Sequence, residues 1–85
     1  MATPIQNSIA LGGLIRAERK AQGLRQPDLA AAAGTSVRFI VEIEQGKSTA
    51  RIGKVLDVLR QLGLEVHVTG RGGTPLGPQS DGGPA

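Results

Sequence analysis

A chain of 85 residues leaves room for one domain with a modest core and none for an independent second one. Its apolar residues, 39% of the chain, include a single aromatic, Phe39, which argues against a base-stacking surface for single strands; the lack of cysteine excludes disulfides and thiolate metal sites. A net charge of +3 and a pI near 10.2 lean toward a polyanionic partner, and a small cysteine-free chain fits a reducing cytoplasm.

Residues 1–7 read as a flexible arm. They lack the basic start of a targeting signal, and the apolar stretch 9–15 is too short to span a membrane. Asn7 or Ser8 can cap a first helix running to about Gln22, with Leu11, Leu14 and Ile15 marking its period. Gly12 and Gly13 each cost roughly 1 kcal/mol there relative to alanine, so its first turn is expected to fray. Gly23 supplies a left-handed stop.

A second helix is expected over Gln26–Ala33, with Pro27 in the first turn, where its missing amide has no helical partner. Leu29, Ala30 and Ala33 form its inner side. Gly34 ends it, and Ser36 can cap a third helix over residues 37–45. Ile40 and Ile43 face inward, so Val37, Arg38, Val41 and Glu42 share the opposite face. A fourth helix over residues 51–62 carries the stripe Ile52, Val55, Leu56, Leu59 and Leu62 and stops at Gly63.

The period then changes to two: Leu64, Val66 and Val68 alternate with polar residues in a strand over 64–69. A lone strand cannot satisfy its own amides and carbonyls, and its cheapest partner is a second copy of itself. We therefore expect a homodimer joined by an antiparallel two-stranded ribbon through Leu64, Val66 and Val68. Residues 70–85 hold six glycines, three prolines and one leucine, too little apolar surface to order them, and form a disordered tail. Residues 8–69 are then the one folded domain, which also carries the dimer contact.

The unit from Leu24 to Lys47 has two short helices around a Gly-Thr-Ser break and ends Glu44-Gln45-Gly46-Lys47. That is the layout of a helix-turn-helix, whose second helix enters the major groove of double-stranded DNA. Arg38, on the outward face, has a fork of donors that fits guanine O6 and N7; the competing reading is an ion pair with Glu42 one turn on. Val37 can meet a thymine methyl group or be a tolerated surface valine, and the methyl contact is the favoured reading. His67 stands alone on the polar side of the strand, so no metal site is expected. No nucleophile triad, carboxylate pair or phosphate-cradling glycine loop can be assembled, and neither an enzyme nor a cofactor is expected.

The run Leu11-Gly12-Gly13-Leu14-Ile15-Arg16-Ala17-Glu18-Arg19-Lys20-Ala21-Gln22-Gly23-Leu24, followed by Gln26 and Asp28-Leu29-Ala30, resembles the phage-repressor (Cro/C1, or Xre) family. The continuation through Phe39-Ile40, Glu42-Ile43-Glu44, Gly46-Lys47, Lys54-Val55-Leu56 and Leu62-Gly63-Leu64 is similar to HipB-type antitoxins, and the resemblance spans residues 9–69. It implies an all-α, lambda-repressor-like domain of four to five helices plus one C-terminal strand in an intermolecular ribbon. It also implies base contacts from Ser36, Val37 and Arg38, with Glu42 one turn on. Gln26 would grip a phosphate, with Lys47 and Arg51 as further backbone contacts, and Arg19 would pair internally with Glu44. One departure stands out: a hydroxyl residue usually caps the second helix, and here the position is Arg25. Arginine forfeits that cap yet can reach a phosphate.

The expected function is a dimeric transcriptional repressor on a palindromic operator. The resemblance further implies the autoregulating antitoxin of a toxin–antitoxin module, partnered by a HipA-like kinase toxin. The alternatives are a partner-binding module with secondary DNA binding and a stand-alone repressor without a toxin.

Overall fold

The computed structural model describes residues 3–73. Among them, helices α1 (Ser8–Ala21), α2 (Gln26–Ala33), α3 (Val37–Glu44) and α4 (Ile52–Gln61) follow one another in the expected order. Their starts follow from local chemistry. The Asn7 side chain accepts from the Ala10 amide at 2.8 Å to cap α1, and Ser36 Oγ accepts from the Phe39 amide at 3.0 Å to cap α3. Their ends share one device: Gly23, Gly34, Gly46 and Gly63 all have positive φ, which glycine adopts without steric cost. In each case the next two amides turn back onto the last helical turn, as where Gly63 donates to Arg60 and Leu64 to Leu59.

Ile15, Leu29, Ala30, Ile40, Ile43, Val55, Val58, Leu59 and Leu62 make one aliphatic core. Helix α3 packs on both α1 and α2, and α2 packs also on α4. This arrangement fixes α3 from behind while leaving its outer face to solvent.

Two expectations about packing need correction. Gly12 is no weak point: a Cβ there would overlap the Ile43 carbonyl, so glycine lets α1 cross close over α3. Ser8 Oγ also donates to the Gly46 carbonyl at 2.8 Å, tying the first turn of α1 to the end of α3 rather than leaving it to fray. On α4 the core side is Val55, Val58, Leu59 and Leu62; Ile52 and Leu56, expected in the stripe, face outward.

Past α4, residues 64–68 form no strand among the described residues, and Thr69 sits in an isolated bridge. The strand expected there has no second strand among the described residues to pair with. Leu64 is half-buried against the core instead of standing free, whereas Val66 and Val68 remain 58% and 62% exposed. Residues 1–2 of the arm and 74–85 of the tail lie outside the described residues; Arg71–Gly73 make a short turn with Gly72 at positive φ.

Candidate nucleic-acid interface

The frame beneath the outer face of α3 is a buried ion pair. Arg19 on α1 donates from Nε to Glu44 Oε2 at 2.6 Å and from a terminal nitrogen to Oε1 at 3.1 Å, and also to the Leu24 carbonyl at 2.8 Å. Both side chains are almost fully covered, at 8% and 3% exposure. Burial works against the charge on Glu44 and is the largest single influence on it. Hydrogen bonds from Arg19 and Gln26, with the Arg19 and Arg16 charges, outweigh it and hold the carboxyl below its ordinary range. The pair locks α3 to α1 at the end opposite the Ser36 cap.

On the outer face, Val37 and Arg38 are exposed at the start of α3, and Ser36 precedes them. The Ser36 oxygen is engaged in capping, which leaves its own hydrogen free to donate. Arg38 donates from Nε to Glu42 Oε2 at 3.2 Å, and Lys47 Nζ donates to Glu42 Oε1 at 3.1 Å. Hydrogen bonds from Lys47, then Arg38, draw the Glu42 carboxyl below its usual range. The ion pair weighed as the competing reading of Arg38 is therefore present in the free protein, and both oxygens of Glu42 are occupied.

Beyond Lys47 the surface dips into a hollow lined by Phe39, Glu42, Lys47, Arg51 and Lys54 among others. Arg51 stands at the start of α4 without capping it through its side chain. Lys54, which sequence reasoning did not single out as a site residue, holds its ammonium 5.9 Å from the centre of the Phe39 ring. Its spacing of three from Arg51 on the first turn of α4 is the signal that could have found it.

At the start of α2 the two expected phosphate ligands are already partly engaged. Gln26 donates to Glu44 Oε1 at 3.1 Å, leaving its second amide hydrogen and its carbonyl oxygen. Arg25 folds back onto Asp28, donating from Nε and from a terminal nitrogen at 3.2 Å each, and Asp28 also accepts from the Arg25 backbone amide at 2.8 Å. Half of a capping box survives, the half supplied by Asp28, because a guanidinium has no acceptor to offer the helix.

The structure thus brings Arg38, Glu42, Lys47 and Arg51 to one continuous surface, with Ser36 and Val37 at the head of α3. Of the residues expected at a dimer contact, Val66 and Val68 are free, and Leu64 is half committed to the core. Leu56 and Ile52 enlarge that apolar surface, Leu56 lining one depression together with Leu64 and Val66. No helix among the described residues is long and apolar enough to cross a membrane.

Comparison with known proteins agrees with this geometry. The pattern of one helix-turn-helix family matches residues 15–68. An uncharacterised HTH-type transcriptional regulator, y4mF, from Sinorhizobium fredii is 49% identical over 72 residues, covering 85% of this chain and 95% of its own. Among solved structures, a HipB variant in an O2 20mer complex is similar, with a TM-score of 0.76 at 18% identity over 84% of this chain and 99% of that one. A HipA-HipB-O2-O3 complex gives the same TM-score and identity over 82% and 99%. The restriction-modification controller protein C.AhdI from Aeromonas hydrophila is 26% identical, with a TM-score of 0.62 over 68% of this chain and 84% of its own. The four-helix chain thus shares its overall fold with the HipB structures.

Proposed function

The chain belongs to the Cro/C1-type (Xre) helix-turn-helix family of transcriptional regulators, and from that premise we propose that it is a sequence-specific repressor that binds a palindromic operator as a homodimer. The observation that carries this reading is the outer face of α3. It begins at a capped N-terminus, presents Val37 and Arg38 to solvent, and runs into a surface bearing Lys47, Arg51 and Lys54. Phosphates engage Lys47, Arg51 and Lys54 after the helix and Gln26 ahead of it, which sets register without reading sequence. Ser36, Val37 and Arg38 read base edges, Arg38 through its two terminal nitrogens and Val37 by contact with a thymine methyl group. Arg25 joins the phosphate contacts through the terminal nitrogen that Asp28 does not engage.

A homodimer follows from the exposed apolar surface of Ile52, Leu56, Val66 and Val68, which a second copy would cover. Pairing residues 65–68 with their own copy would also satisfy their backbone groups.

We further propose that the chain acts as the antitoxin of a two-gene module, silencing its own operon and holding a HipA-like kinase. Support for this finer reading is the likeness of fold to HipB, including HipB in complex with HipA. The more identical y4mF is named a transcriptional regulator, and a second reading is a stand-alone repressor. A kinase-like reading frame beside the gene, whose product co-purifies with this chain, is expected of the antitoxin; an unrelated neighbour that does not co-purify removes it.

The DNA reading is tested by selecting duplexes from a random-sequence library with the full-length chain. The expected product is an inverted repeat whose half-sites lie about one helical turn apart, or a small multiple of it. Failure to enrich any sequence, or enrichment of a single unpaired half-site, contradicts it.

A further inference from the structure

The ion pairs on α3 carry an inference that rests on the reading of α3 as the groove helix and goes beyond it. We infer that Glu42 is a positioning residue for Arg38 and a counter-charge for Lys47, rather than a base contact, and that it sets the ratio of specific to non-specific DNA binding.

Geometry argues for both roles. Glu42 engages Arg38 through Nε alone, so the two terminal nitrogens keep their donors for a guanine while the side chain is held along the helix face. A restrained guanidinium loses less freedom on docking than a loose one, and only where a base offers O6 and N7 does that alignment count. Lys47 is held twice by the same residue: its amide donates to the Glu42 carbonyl at 3.1 Å and its ammonium to the carboxylate. The carboxylate offsets a charge that any phosphate backbone would otherwise attract. Each carboxylate oxygen already accepts from one cation, which holds the group between Arg38 and Lys47 and aligned with them. The lowered carboxyl of Glu42 agrees with this double engagement.

The test uses the full-length chain, Glu42→Gln, and two probes: a duplex selected from a random library by the unaltered chain and its shuffled counterpart. Glu42→Gln should bind the shuffled duplex about three-fold or more tightly, with a salt dependence steeper by up to about 0.9 per cation released. The selected-to-shuffled ratio should fall about two- to five-fold, the size expected when an exposed helix-face ion pair that aligns Arg38 is lost. Adding Lys47→Met to Glu42→Gln should abolish the gain on shuffled DNA. Loss of affinity for the selected duplex alone, with preference altered at one C·G pair per half-site, would make Glu42 a base contact and overturn the inference. So would unchanged binding to both duplexes. If the unaltered chain selects no duplex, the DNA reading fails first and the inference with it, which separates that failure from one confined to Glu42.

Discussion

Arg38 and Lys47 share one carboxylate, yet the proposed reading gives them different tasks on DNA. Arg38→Ala should cost about 1–3 kcal/mol on a selected duplex and relax preference at one position per half-site, as read from binding isotherms on single-base variants. Lys47→Ala should instead weaken selected and shuffled duplexes together and flatten the salt dependence by about 0.9, the share of the one phosphate that Lys47 neutralises. Equal, sequence-blind losses in both variants would reduce Arg38 to a phosphate ligand. Arg19 and Glu44 belong to the scaffold. Glu44→Ala leaves a buried guanidinium without its partner and should destabilise the fold by about 3–5 kcal/mol at neutral pH, measured by denaturant unfolding. The sign with pH follows from the lowered carboxyl of Glu44. Its contribution is fully present above the unfolded carboxylate value of about 4.3 and is lost as pH falls through the lower folded value. The gap between the two proteins should therefore close in acid; a constant gap down to about pH 2 would mean that Glu44 acts by packing alone. Residue types and spacing in the sequence were enough to place Arg38 and Lys47 on an exposed face. The sharing of Glu42 between them was not legible there, because Lys47 lies five residues on, past the end of α3, and reaches back only once the chain turns at Gly46.

At the scale of elements, the caps were the most legible feature. Asn7, Ser36 and the four left-handed glycines mark helix limits to within a residue or two of those observed. The two adjacent glycines of α1 were not equivalent, and nothing in the sequence alone separates them. A Cβ at Gly12 meets the Ile43 carbonyl, whereas one at Gly13 meets nothing within 4 Å. Gly13→Ala should therefore stabilise the domain by about 0.5–1 kcal/mol, the ordinary helix preference for alanine. Gly12→Ala should destabilise it strongly by prising α1 from α3. Thermal melts moving in the same direction for both variants would contradict the close crossing. Helix α4 misled for a related reason. Ile52, Val55, Leu56, Val58, Leu59 and Leu62 form an apolar arc wider than one neighbour can cover, and the period alone does not tell which edge faces α2. Val58 went inward and Ile52 outward.

At the scale of the whole molecule, Ile52, Leu56, Val66 and Val68 stay exposed among the described residues, and the proposed dimer rests on that surplus. Val66→Pro removes a ladder donor from the proposed ribbon while touching none of the core residues of α1–α4. It should yield a folded monomer by sedimentation, its helical signal intact. An undisturbed dimer would move the contact to α4, and loss of the helices would show that residues 64–69 support the fold itself. The need for a partner strand was readable from the alternation of Leu64, Val66 and Val68. That Leu64 would turn back to cover the core was not, because it depends on the reversal at Gly63.

The central claim, that α3 reads duplex sequence through Arg38, is tested most directly by the ratio of affinities for a selected duplex and its shuffled counterpart. It should be measured at one fixed salt concentration near physiological, for the full-length chain and for Arg38→Ala. The account predicts a ratio of at least about 10³ for the unaltered chain. For Arg38→Ala the ratio should fall by roughly ten- to hundred-fold, with binding to shuffled DNA much less affected. A ratio near one for the unaltered chain, or the same ratio in both proteins, would contradict it.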